Sequence, residues 1–182
     1  MNVKQLLILL VTGFVLSCDN MEAGQPAGDS DTGNRISSKD TSNNMQSTEI
    51  DQLVQAASRS GRPEDLSSLW KATLNLPQWH FITKVQDSTA DRKPFIGVIE
   101  NKPWVFVFTD RNKAQLYGAA PPNTGFVDSS GSVLVISMET NKAIDYVMGL
   151  HQAGVYGIRL NEGNGWYAPL EQLPAIIQFV NK

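Results

Sequence analysis

The sequence predicts an α+β domain over residues 49–182: a mixed sheet of about five to six strands with an N-terminal helical hairpin and two strand–helix units. Three observations predict it. Two stretches, 48–61 and 63–76, carry apolar residues at helical spacing. Short runs rich in Val, Ile, Phe and Trp follow at 79–85, 95–100, 104–109 and 133–137, bounded by polar and turn-forming residues. Finally, FTDRNKAQLYG (108–118) and SMETNKAIDYV (137–147) share Asn-Lys-Ala-x-x-Tyr directly after an apolar run, which marks two similar strand–helix units.

The chain begins MNVKQLLILLVTGFVLSC. Lys4 precedes an apolar or small-residue run from Leu6 to Leu16, well short of the roughly twenty residues a helix needs to cross a hydrocarbon core. A basic start, a short apolar core and a small residue at the cut describe a secretory signal over 1–17. The stretch Phe14-Val15-Leu16-Ser17-Cys18 resembles a bacterial lipobox, where the signal is removed just before a cysteine that has received a diacylglycerol. The resemblance implies lipid attachment at Cys18, acyl chains such as palmitate in the bilayer, and a place in the bacterial cell envelope. Asp19 is similar to the enteric signal for inner-membrane retention, but the choice between inner and outer membrane stays open. One acyl chain binds a membrane marginally, whereas two or more hold stably. Cys18 is the only cysteine, so no disulfide framework competes for its thiol in an oxidising compartment.

Residues 18–48 are dominated by Asp, Ser, Asn, Gly and Thr, and Met21, Ile36 and Met45 share no period. Such a segment buries too little surface to offset its conformational entropy, so it is expected to be a disordered tether. Its mean reach is on the order of 30 Å.

In the domain, Thr48 is placed to cap a helix in which Ile50, Leu53, Val54 and Ala57 share one face, and Gly61 ends it. Pro63 suits a first helical turn, with Glu64 and Asp65 near the positive end of the dipole. Leu66, Leu69, Trp70 and Thr73 then line one face until Pro77. WHFITKV, FIGVIE and WVFVFT read as strands; the near-continuous apolar run of WVFVF predicts a central strand covered on both faces, with Trp104, Phe106 and Phe108 in the core. A helix from Asp110 to Tyr117, a strand at 133–137 and a helix from Thr140 to Gly154 follow. VYGIRL, the turn NEGNG and WYAP form a final hairpin before a short helix carrying Ile176, Ile177 and Val180. The gap from Thr109 to Val133 suffices for a crossover between parallel strands.

Parallel neighbours would open both helix N-termini on one sheet edge, a place that commonly takes ligands. Asp110 and Glu139 occupy the corresponding positions. One reading is that they cap their helices with Thr109 and Thr140. The sharper one is a small groove lined by Asp110, Arg111, Tyr117 and Glu139, suited to a polar or cationic ligand. Trp166 and Tyr167 flank the last hairpin loop, so one of them should face outward and contact a partner. The two histidines, His80 in a strand and His151 near a helix end, lack HxxxH, CxxC or GxSxG company. No catalytic residue, metal site or cofactor is therefore assigned. Acids and bases nearly cancel within the domain, and no basic stripe interleaved with aromatics appears, which argues against nucleic-acid binding.

LVQAASRSGRPEDLSSLWKATLNLPQWHFI, PWVFVFTDRNKAQLYG, GLHQAGVYGIRLNEG and PLEQL together resemble the N-terminal domain of SseB-type proteins across most of 50–175. That resemblance implies an α+β domain with no agreed catalytic residues. The sequence departs from the family pattern in its expected lipid signal and tether, and the organisation expected is one such domain without a second. The function expected is a membrane-anchored, non-catalytic module binding a protein or small ligand at the cell envelope. The alternatives are an enzyme with a carboxylate site around Asp110 and Glu139, or an immunity-type protective lipoprotein.

Overall fold

A computed structural model describes residues 38–85, 92–121, 123 and 125–181, with side chains from Thr48 onward. The expected signal segment, Cys18 and the tether up to residue 37 lie outside the described residues. Two helices open the fold, α1 (Ser38–Ser60) and α2 (Pro63–Leu74). Ile50, Val54 and Ala57 of α1 and Leu66, Leu69, Trp70 and Thr73 of α2 are buried, matching the apolar stripes of the sequence. Gly61, at φ +60°, ends α1, and its N–H reaches the Ala57 carbonyl at 3.0 Å. The start of α1 differs from expectation, since the helix begins at Ser38 rather than at Thr48. The stretch 38–47 contains neither proline nor glycine. Adding turns to an established helix costs far less than nucleating one, so polar composition alone does not stop it.

The strands are β1 (Gln78–Ile82), β2 (Ile96–Ile99), β3 (Lys102–Val107), β4 (Val135–Glu139), β5 (Gly157–Leu160) and β6 (Trp166–Pro169). Helices α3 (Arg111–Ala119) and α4 (Thr140–Gln152) follow β3 and β4, and a 3₁₀ turn (Leu170–Gln172) leads into α5 (Leu173–Val180). The fold is thus mixed α+β with an N-terminal helical hairpin. Its strands form two sheets: an antiparallel β1–β4 ribbon and a four-stranded sheet ordered β2-β3-β5-β6. In the larger sheet only β3 and β5 run parallel. His80 and Phe108 join the two sheets by exchanging backbone hydrogen bonds of 2.9 and 2.8 Å.

The two strand–helix units are present, but their strands are not parallel neighbours. β5 takes the place beside β3, and β1 claims β4. The cause is β1 itself, whose Trp79 and Phe81 are buried while His80 bridges toward β3, so it occupies the space between the two units.

β3 is central and covered on both faces. Val105 and Val107 join Ile158, Leu160, Trp166, Ala168 and the α1–α2 stripes in one core; Trp104, Phe106 and Phe108 join Ile82, Ala114, Phe126 and Val133 in the other. This is the period-two alternation of a strand buried twice.

The Asn-Lys-Ala-x-x-Tyr repeat has a structural meaning. Ala114 and Ala143 are both fully buried where their helices meet the strands. Tyr117 stacks on Phe106 and Phe108 at 5.6 and 5.3 Å, and Tyr146 meets Phe81 edge-on at 6.1 Å. Each lysine pairs with the acid three residues before it, Lys113 with Asp110 at 3.8 Å and Lys142 with Glu139 at 2.7 Å. A small residue for close approach, a ring one turn later and an i,i+3 ion pair dock each helix on its core.

Candidate functional site

The ends of β3 and β4 bring three of the four predicted groove residues, Asp110, Arg111 and Glu139, to one edge after all, by a different route. Gln78 lies opposite Glu139 in the β1–β4 register. Extending the His80–Phe108 pairing by two residues brings Asp110 abreast of Gln78 on its other side. Asp110 and Glu139 therefore flank β1, about 10 Å apart at two strand spacings. Arg111 is exposed beside them, but Tyr117 is not part of this edge, because its ring lies in the aromatic core two turns along α3. Burial raises the Tyr117 phenol above its ordinary pKa, aided by the Glu162 charge and opposed by Arg159.

The acids at this edge are engaged. Asp110 caps α3, its Oδ1 accepting from the Lys113 N–H at 2.8 Å. Lys113 Nζ also meets Asp51 of α1 at 2.7 Å, and Asn164 donates to the same Asp51 oxygen at 3.2 Å. Glu139 makes no capping bond and pairs instead with Lys142, both side chains being exposed. Thr109 and Thr140 do not cap with their acids either. The Thr109 N–H and hydroxyl meet the buried Asn161 amide at 3.0 and 2.9 Å, and the Thr140 hydroxyl donates to the Leu76 carbonyl at 2.5 Å.

His80 sits on the same face. Its Nδ1 lies 2.8 Å from the hydroxyl of Ser137, its cross-strand partner. Burial holds the imidazole below its ordinary pKa; the Arg111 charge acts in the same direction and the Asp110 carboxylate opposes it. A neutral imidazole bonded to a serine hydroxyl is a nucleophile–base pair, which a third group would have to orient. Asp110, the nearby carboxylate, is already committed to the α3 cap.

At the opposite end of the larger sheet lies an open cavity of about 310 Å³, lined by Lys102, Pro103, His151, Gly154, Val155, Tyr156, Pro169 and Glu171. It forms where the β2–β3 turn, the end of α4 and the 3₁₀ turn converge. Lys102 Nζ rests on the Tyr156 ring, 4.2 Å from its centroid. Among the described residues, Lys102, His151 and Glu171 have no ion-pair or side-chain hydrogen-bond partner. The cavity thus offers a cation, a carboxylate and an imidazole around an apolar floor of two prolines, a valine and a tyrosine ring.

No protein-family model and no curated protein matches this chain. What it can do rests on these side chains. Among the described residues no helix is long and apolar enough to cross a membrane, and no group of three His, Cys, Asp or Glu side chains is placed to hold a metal.

Of the two hairpin aromatics, Trp166 is not a partner contact. It is 3% exposed, and its Nε1 donates to Thr73 Oγ1 at 3.0 Å inside the core. Strand alternation sends Tyr167 to the other face, where it lies partly buried beside Trp104, with Arg159 over both rings at 4.9 and 5.1 Å. Sequence reasoning missed the cavity and the His80–Ser137 pair. His151 at a helix end was visible, but its meeting with Lys102 and Glu171 depends on which strand lies beside β3.

Proposed function

We propose that this chain is a lipid-anchored binding module of the bacterial cell envelope. Cys18 carries the lipid, and an SseB-like domain takes a small amphipathic ligand in the Lys102–His151–Glu171 cavity. The observation that carries the ligand site is the pair of opposite charges that, among the described residues, have no ion-pair partner around one apolar floor. A volume of about 310 Å³ stands at the lower end of the range for small-molecule sites. The chemistry fits a compact zwitterion, with its carboxylate toward Lys102 and its cation toward Glu171. The last carbonyls of α4 add negative potential beside His151.

Two experiments test the reading. Metabolic labelling with a palmitate analogue should mark the wild type and leave Cys18→Ser unlabelled; an unlabelled wild type sinks the anchor. Thermal shift of the full chain against organic acids, amines and zwitterions should find a stabilising ligand. Saturation at a hundred times Kd contributes about 2.7 kcal/mol. Both Lys102→Ala and Glu171→Ala should abolish the shift, and a shift that survives both removes the cavity from consideration.

A second reading draws on the Ser137–His80 hydrogen bond, which favours a hydroxyl nucleophile over the carboxylate site at Asp110 and Glu139. Covalent labelling by a fluorophosphonate, lost in Ser137→Ala and in His80→Gln, would support it.

A further inference from the structure

The loop between β5 and β6 carries the one Asn-Gly pair of the chain, Asn164-Gly165. Asn164 is exposed, whereas Gly165, immediately before β6, is buried. A Cβ at Gly165 would run into the Leu160 carbonyl oxygen, so the hairpin needs glycine there. Asn164 also ties distant parts of the chain together. Its Nδ2 donates to Asp51 Oδ1 of α1 at 3.2 Å, and Lys113 Nζ of α3 meets the same oxygen at 2.7 Å. Lys113 Nζ lies 3.8 Å from Asp110 as well, so one ammonium already serves two carboxylates.

We propose that Asn164 is a site of spontaneous deamidation, and that the conversion cuts the tie between the hairpin loop and α1. The Gly165 backbone nitrogen attacks Cγ of Asn164. The N–Cγ bond forms, the Cγ–Nδ2 bond breaks, and the amide nitrogen leaves as ammonia with the proton of the Gly165 N–H. Water then opens the five-membered imide at one of its carbonyls and leaves aspartate or isoaspartate. Asparagine is thermolabile in general; what singles out Asn164 is solvent access and a following residue with no side chain to obstruct the attack. Asn101, Asn112 and Asn141 are each followed by lysine instead.

The product changes the sign of the contact with Asp51. A donor 3.2 Å from a carboxylate oxygen becomes a second carboxylate, and three acids then share the Lys113 ammonium. Like charges at that distance repel. Isoaspartate further adds a methylene to the main chain beside Gly165, where the Leu160 carbonyl leaves no slack. α1 keeps Ile50, Val54 and Ala57 in the core, so the result is a local loosening around Asp51 and not unfolding. No cavity residue takes part, so this site stands or falls apart from the ligand reading.

The test uses detergent-solubilised full-length protein, incubated warm at mildly alkaline pH in water enriched in heavy oxygen. Peptide mapping by mass spectrometry should show Asn164 converting several-fold faster than Asn101, Asn112 and Asn141. The product should be a mixture of aspartate and isoaspartate that carries the heavy label. A rate at Asn164 no greater than at those three, or aspartate alone, overturns the reaction. Asn164→Asp supplies the product charge directly. It should lower Tm and speed amide exchange around Asp51 several-fold. In an Asp51→Asn background the same change should do neither, because Lys113 then receives the new carboxylate in place of the old one. Unchanged exchange in the single variant, or an equal loss in both backgrounds, overturns the release of α1.

Discussion

Replacing Thr73 by valine isolates one hydrogen bond that ties α2 to the far edge of the sheet. Thr73 is fully buried, and its hydroxyl donates within the helix to the Leu69 and Trp70 carbonyls while accepting from Trp166 Nε1 at 3.0 Å. Trp79 Nε1 uses the Thr73 backbone carbonyl at 2.9 Å, which the substitution leaves in place. Valine keeps the shape and nearly the same helix propensity. What changes is that the indole N–H of Trp166 becomes an orphaned buried donor, at a cost of about 1–3 kcal/mol. The added methyl group returns about 0.8 kcal/mol, leaving a net loss of about 0.2–2.2 kcal/mol. For a chain of this size that lowers Tm by up to about 9 °C. Denaturant titration followed by tryptophan fluorescence measures it. The decisive control is Trp166→Phe, which removes the donor. In that background Thr73→Val should cost close to nothing, because no polar group is left unpaired. An equal cost in both backgrounds would show that the hydrogen bond is not what Thr73 contributes, and the reasoning would fail.

Gly165→Ala should lose about 1–3 kcal/mol from overpacking, because a Cβ there would lie 1.8 Å from the Leu160 carbonyl oxygen; an unchanged denaturation midpoint would contradict it. Asn161 holds φ +49° and both Thr109 contacts, so Asn161→Ala should be worse than Asn161→Gly by about 1 kcal/mol, the left-handed backbone cost. Equal losses would mean that backbone strain plays no part. Burial depresses the His80 pKa from 6.5, so the unfolded chain binds this proton at higher pH than the folded protein does. Its contribution is complete above the unfolded pKa and is lost as pH falls through the folded one. His80→Gln should flatten the stability profile between pH 7 and 5, and an unaltered slope would remove His80 as its source.

The fold class was legible because the apolar periods are strong where helices and strands meet a core. Leu66, Leu69, Trp70 and Thr73 repeat at helical spacing, and the alternation of WVFVF feeds two cores. Strand adjacency was not legible. The repeated Asn-Lys-Ala-x-x-Tyr units suggested parallel neighbours, whereas β1 inserts between them, and nothing in a strand's own composition names its neighbour. The start of α1 was hidden for a different reason. A polar segment with no breaker is locally compatible with both helix and coil, and the neighbouring helix decides which it adopts. Trp166 and Tyr167 show the same limit, since adjacent strand residues take opposite faces and the sequence does not say which face is covered.

The location of the candidate site turns on how charge is spent. The acids that first drew attention, Asp110 and Glu139, stand at helix starts, where a carboxylate already has a structural use, and both are paired with the lysine three residues on. Their recurrence in a repeat follows from that use, because the same helix-docking problem is solved twice. Lys102 rests on the Tyr156 ring, but neither it nor Glu171 caps a helix or joins an ion pair among the described residues. They stand on different elements, around a floor of rigid prolines and an aromatic ring, and no carboxylate or cation of the domain comes to meet them among the described residues. Opposite charges held near one another without pairing forgo a modest attraction that a bound zwitterion would recover from both at once. Exchanging the two charges, Lys102→Glu with Glu171→Lys, should therefore cost no more than the cation–π contact on Tyr156, about 0.5–1 kcal/mol, and reverse the orientation in which a zwitterion is accepted. Either single reversal should leave like charges around the floor and lose binding. A pair of single reversals that bind as well as wild type would mean that the charges are ordinary solvated surface, and the cavity would lose its claim.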